Sequence, residues 1–132
     1  MSRITPKQRQ EFDRLFDGVM AALPEALHRL VEEVPVIVDD QPSAELLREC
    51  QAEGPDEICG LHSGMSLAER GPDSHRSEPE TIHIYRLGII AEAGGDDADD
   101  AAVTEEIRVT LLHEIGHHFG LSEDDLEKLG YG

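Results

Sequence analysis

The stretch Thr110–Asp125, TLLHEIGHHFGLSEDD, constrains this chain more than any other. Its centre is His113-Glu114-Ile115-Gly116-His117. On an α-helix, residues four apart lie one above the other, so His113 and His117 can offer imidazole nitrogens to one metal ion. Zinc accepts such nitrogens at about 2.0–2.1 Å. Glu114 stands one position on, near that ion but out of line with its ligands. That suits a general base taking a proton from metal-bound water. Around the motif, Val103, Ile107, Leu111, Ile115 and Phe119 form one apolar stripe, broadened by Val109, Leu112 and Gly116. A helix this apolar, over 101–119, has to be largely buried. Gly116 lowers helix stability by about 0.5–1 kcal/mol against alanine, so close packing is expected there. His118 is turned about 100° from His117 and reads as a structural or ligand-supporting residue.

A catalytic zinc usually has three protein ligands and an open position for water. Gly120 follows the helical run and can adopt the left-handed conformation that turns the chain. Just beyond stand Glu123, Asp124 and Asp125, any of which can return to the metal. A competing reading makes Ser122 the cap of a last short helix. The three acids then sit in its first turn, where the helix dipole favours them with or without a metal.

His113, Glu114, His117, Gly120 and Glu123 together read H-E-x-x-H-x-x-G-x-x-E. This resembles the compact frame of the metzincins, with an acid where their third histidine falls. It resembles more closely the small bacterial zincin-like metallopeptidases, the minimal metalloproteases, which carry HEIGHHFG or a near variant near the C-terminus. The resemblance extends to PVIVDDQP, to the segment around GLHSGMSLAERG and to TIHIYRLGI. It implies a compact α+β zincin-like domain over residues 1–132, with a small mixed sheet and the active-site helix near the C-terminus. It further implies Zn2+ held by His113, His117 and Glu123, with Glu114 as catalytic base in peptide-bond hydrolysis. Two departures from the metzincins stand out. No methionine follows the motif, so there is no Met-turn, and an acidic third ligand leaves the site less positive than three histidines would. Larger relatives add an oxyanion donor from a later segment; here the candidates are Tyr131 and the upstream Tyr85. In zincins the strand before the site helix is commonly the sheet edge that pairs with substrate. By resemblance, Thr81–Arg86 would offer its backbone to a peptide, against the plainer reading of an ordinary sheet strand.

Two rival readings accompany this one. The domain can bind zinc and a peptide as an adaptor or regulator without turnover, although such a binder has no need of Glu114. Alternatively the zinc is structural, which requires a fourth ligand from His118, Asp124 or Asp125.

Charge narrows the partners. With 29 acidic against 11 basic residues the net charge is −18, which excludes phosphate-dominated nucleic-acid binding. It favours a basic peptide or protein substrate by steering, or serves only as a hydrated surface. No apolar run reaches the roughly 18 residues of a membrane span. MSRITPKQRQEF contains no apolar signal core, so a cytoplasmic protein is expected. Cys50 and Cys59 are then free thiols rather than a disulfide, and nothing near them completes a zinc set. The acidic run 94–100 lacks the spacing of a calcium loop.

The remaining chain is punctuated clearly. Thr5 and Pro6 open a helix carrying Phe12, Leu15, Phe16, Val19, Met20 and Leu23 at helical spacing. Pro24 ends or kinks it, and a second helical stretch follows to Glu33. Pro35–Val38 reads as a buried strand, Asp39–Pro42 as a turn, and Ser43–Cys50 as a helix capped by Ser43. Gly54-Pro55 breaks the chain, Ile58–Leu61 is a possible short strand, and 63–80 reads as loop. His28 reads as a surface or core residue and not a ligand, and the loop histidines His62 and His75 read as exposed and uninvolved, the alternative being contact with substrate. Asp100 or Thr104 is the expected cap of the site helix.

Overall fold

A computed structural model of the chain describes residues 4–63 and 81–128. Helix α1 spans Pro6–Ala22. Thr5 Oγ1 accepts from the Gln8 amide at 3.1 Å, and Gln8 Oε1 accepts from the Thr5 amide at 2.9 Å, so two otherwise orphaned donors are satisfied reciprocally. The helix stops at Leu23, before Pro24, and α2 follows over Glu25–Glu32 with Leu27 and Val31 buried. Strand β1 is Val36–Asp39. Helix α3, Ala44–Glu49, opens on Ser43, whose Oγ accepts from the Leu46 amide at 3.1 Å. Strand β2 is Gly60–Ser63 and β3 is Thr81–Tyr85.

The three strands form a mixed sheet in the order β1-β3-β2. Strand β3 runs parallel to β1, with Val36 opposite Ile82, and antiparallel to β2, with Gly60 opposite Ile84. The expectation that Thr81–Arg86 is a free sheet edge is therefore wrong. Its backbone is paired on both sides, and among the described residues the edges belong to β1 and β2. Local alternation could not reveal this, because central and edge strands share one side-chain period. Arg86 is also not part of the strand. It begins α4, Arg86–Ala93, which follows β3 in the chain and packs against the site helix. A Gly-containing apolar run, LGIIA, carries no clear helical periodicity, so the sequence did not announce this helix.

A short 3-10 turn, Gly95–Asp97, leads to α5, Asp100–Phe119, and then to α6, Glu123–Lys128. One apolar cluster gathers Phe12 of α1, Leu27 of α2, Ile82 and Ile84 of β3, Ile89 of α4, and Ile107, Leu111 and Ile115 of α5, all of them fully or nearly fully buried. Val36 and Val38 of β1 and Ile82 and Ile84 of β3 thus face the helices, while Ile37 is exposed, as strand alternation requires. The result is a compact α+β arrangement. No described helix is long and apolar enough to cross a membrane. The segment 64–80, including His75, and Tyr131 lie outside the described residues.

A charged knot fastens the start of α4. Arg86 is buried, and its guanidinium donates to both Asp13 carboxylate oxygens at 2.9 and 3.1 Å and to Asp40 Oδ1 at 2.9 Å. Arg9 grips the same Asp40 at 3.1 and 2.6 Å. The Arg9 hydrogen bond, with help from Arg86, holds the Asp40 carboxyl below its usual value. A depressed carboxylate stabilises the fold above its unfolded value of about 3.9, and that contribution is lost as pH falls through the lower folded value. Denaturant midpoints measured from about pH 7 to pH 3 should therefore fall less steeply below about pH 4 in Asp40→Asn than in wild type. Parallel curves would refute the linkage.

Candidate metal and catalytic site

Helix α5 begins at Asp99, whose Oδ1 accepts from the Ala102 amide at 2.8 Å. Neither Asp100 nor Thr104, the expected caps, has this role; Asp100 instead pairs with Arg14 of α1 at 2.9 Å. Val103, Ile107, Leu111, Leu112 and Ile115 press the helix into the core. His113 and His117 emerge on the opposite, exposed side one turn apart, and Glu114 is half-buried beside them. The motif thus occupies the polar strip of an otherwise buried helix. His118 goes the other way. It is buried, with its ring edge-on to Phe119 at 4.5 Å, which removes it from the exposed ligand face and from the structural-zinc reading.

Helix α5 ends as its glycine requires. Gly120 has φ 67 and ψ 32, the left-handed region that side chains with a Cβ adopt reluctantly. The Leu121 amide donates to the Gly116 carbonyl at 2.8 Å, and the chain reverses into α6. A Cβ added to Gly116 would lie 3.2 Å from the Leu121 carbonyl oxygen and 3.5 Å from Leu126 Cδ1. The glycine therefore lets the two helices close on each other, as its cost within a helix had implied.

The reversal sorts the three acids. Ser122 caps α6: its Oγ accepts from the Asp125 amide at 3.1 Å, while Asp125 Oδ2 accepts from the Ser122 amide at 2.9 Å. The Ser122 backbone and hydroxyl hydrogen bonds lower the Asp125 carboxyl below its usual value. Asp125 is thus engaged in the cap, whereas Glu123 and Asp124 are exposed. Among the described residues, no three His, Cys, Asp or Glu side chains gather closely enough to hold a metal ion. The structure presents His113 and His117 together and Glu123 on the next helix, not drawn up to them. Two imidazoles one turn apart on an exposed strip have the donor chemistry zinc takes, so the pair fits this metal.

One residue of the site escaped the sequence reading. A Cβ on Gly60 of β2 would come within 2.7 Å of Thr110 Cγ2, 3.2 Å of Glu114 Cγ and 3.1 Å of the His83 carbonyl oxygen. Strand β2 lies directly against α5 here, and the missing side chain leaves room for the Glu114 stem. A glycine opening a short strand was the only local signal, and it does not say what approaches. Tyr85, one candidate oxyanion donor, is buried and lines a cavity together with residues of α3; burial raises its phenol, with Glu114 among the charges that add to this.

Nearby, both cysteines are free. Burial, reinforced by Glu106 and Glu92, pushes the Cys59 thiol up to about 11. Since the thiolate is the reactive form, an alkylating probe should label the exposed Cys50 at least about tenfold faster than Cys59 in the folded protein. Equal rates, read by peptide mass spectrometry, would contradict this environment.

A family description, zincin-like metallopeptidase, matches residues 31–132. No curated protein matches the chain.

Proposed function

The chain belongs to the zincin-like metallopeptidase family, and from that premise we propose that it is one zinc-dependent peptidase domain over residues 1–132. The observation that carries this reading is the placement of H-E-x-x-H. A helix whose other face is core presents His113 and His117 outward, with Glu114 between them and the adjoining strand β2. His113 and His117 would hold the ion, with Glu123 as third ligand by its spacing in the motif and by the engagement of Asp125 in the α6 cap. When bound, zinc lowers the pKa of water and polarises the scissile carbonyl.

The chain's own residues do the rest. The Glu114 carboxylate accepts a proton from the attacking water and can return it to the leaving amine. Gly60 keeps the space its stem occupies. Strand β2, an edge among the described residues, takes the place first given to β3 as the track for an extended peptide, whose amides and carbonyls would extend the sheet. The charge of −18 favours basic peptides in the encounter. An adaptor that binds zinc and a peptide without turnover is the second reading, and the family's catalytic glutamate, present as Glu114, speaks against it.

The test is zinc per chain on purified wild type, His117→Ala, Glu123→Ala and Asp124→Ala. About one zinc in wild type, lost in His117→Ala and Glu123→Ala but kept in Asp124→Ala, is expected. Wild type that folds yet stays metal-free when zinc is supplied would end the proposal. Loss in Asp124→Ala alone would move the third ligand.

A further inference from the structure

The sheet has a second face. Ile82 and Ile84 point to the helical core, so His83 and Tyr85, at alternate positions, point the other way. Helix α3 covers that side. Between it and the strands lies a cavity of about 350 Å³, within the range of small-ligand sites. Asp39 of β1 and Glu45 and Glu49 of α3 bring three carboxylates to its wall, and no Lys or Arg is among the described lining residues. None of the three is in an ion pair among the described residues. Leu46 and Leu61 add an apolar patch.

A second observation is independent of the acids. Tyr85 lines the same cavity, is 3% exposed, and its hydroxyl has no hydrogen-bond partner among the described residues. Its ring lies nearly parallel to His83, with centroids 6.0 Å apart. A buried hydroxyl left unpaired costs about 1–3 kcal/mol, so a partner from outside the chain is favoured. Burial pushes this phenol up to about 12, and Asp39 is the foremost charge acting on it. The hydroxyl therefore stays protonated, able to donate to a carboxylate while accepting from a ligand N–H.

We propose that this cavity binds an organic cation: a guanidinium or ammonium group carried on an aliphatic stem. The head would sit among Asp39, Glu45 and Glu49, accepted also by the Tyr85 oxygen, and the stem would lie along Leu46 and Leu61. A bare metal ion is a poorer occupant, because no three of these acids come close enough to hold one. The acids that would hold the head group, Asp39, Glu45 and Glu49, lie outside the H-E-x-x-H motif, so the inference does not depend on zinc or on turnover.

Such a head group comes either from a small free amine or from a basic side chain of a peptide. Agmatine and acetyl-Gly-Arg-Gly-amide separate the two sources, with the citrulline peptide as neutral control. Binding is followed by calorimetry and by the backbone amide shifts of Leu61, His83 and Tyr85. Each cation should bind with a Kd of about 1 mM or tighter, and the citrulline peptide should not bind. Binding of the arginine peptide alone supports the proposal with a peptide as source; binding of both supports it with the head group sufficient. The double variant Glu45→Gln/Glu49→Gln, whose exposed substitutions leave the core untouched, should weaken binding about tenfold. Tyr85→Phe should weaken it severalfold while keeping the ring. His117→Ala should bind as wild type does, even if zinc is lost. No binding of either cation up to about 10 mM, equal binding of the citrulline peptide, or an unchanged affinity in the double variant would each overturn the proposal.

Discussion

Glu114→Gln should leave the fold and the zinc content intact and cut peptide hydrolysis by about 10²- to 10⁴-fold. The amide has nearly the same size as the carboxylate, so the packing of the side-chain stem beside Gly60 and Thr110 survives. What disappears is the capacity to take a proton. The loss should fall on kcat more than on KM, because proton transfer belongs to the transition state and not to peptide binding. Circular dichroism and zinc content act as controls. A variant that hydrolyses peptides as fast as wild type would remove Glu114 from the base role. If wild type binds peptide but cleaves nothing, and the variant binds equally, the adaptor reading replaces the enzyme.

The largest effect on stability is expected at Gly88 rather than at the site. This glycine lies in α4, fully covered by the chain segment leading into β2. A Cβ there would stand 2.1 Å from the Ile58 carbonyl oxygen and 2.6 Å from the Ile58 carbonyl carbon. Both are backbone atoms, and the same segment is tied down by the Tyr85 amide donating to the Cys59 carbonyl at 2.8 Å. No side chain can rotate out of the way, so either α4 or the β2 approach must shift. Gly88→Ala should destabilise by about 3 kcal/mol or more, the upper range for overpacking. Because β2 backs Glu114, the variant should also lose activity before it unfolds. Gly18→Ala is the contrast: it sits exposed in α1 with nothing within 4 Å of its Cβ. That change should stabilise by about 0.5–1 kcal/mol. Similar denaturant midpoints for the two variants would show that the Ile58 backbone yields to a methyl group at little cost.

The site helix was legible because its rules are local. The i,i+4 spacing of His113 and His117, the apolar stripe through Ile107 and Ile115, and the left-handed Gly120 all act within a turn or two. The same holds for the caps at Thr5, Ser43 and Ser122. Where local rules offered two candidates, they failed by small shifts: Asp99 caps α5, one residue before Asp100. Among the acids after Gly120 the motif's spacing favoured Glu123, although each of the three suits a helix N-terminus. Only the hydrogen bonds of the α6 cap set Asp125 apart from Glu123 and Asp124.

Thus the amino-acid sequence alone determined the motif, the helix that carries it, the ends of most helices and the α+β family of the fold. Tertiary structure decided which strand is central, that α4 packs against α5, and that Gly60 and Gly88 are points of near contact. It also decided that Tyr85 lines a cavity walled by carboxylates of β1 and α3. The physical reason is range. Helix periodicity and capping involve groups a few residues apart, whereas strand order, glycine contacts and cavity walls join segments that meet only when the whole chain has folded.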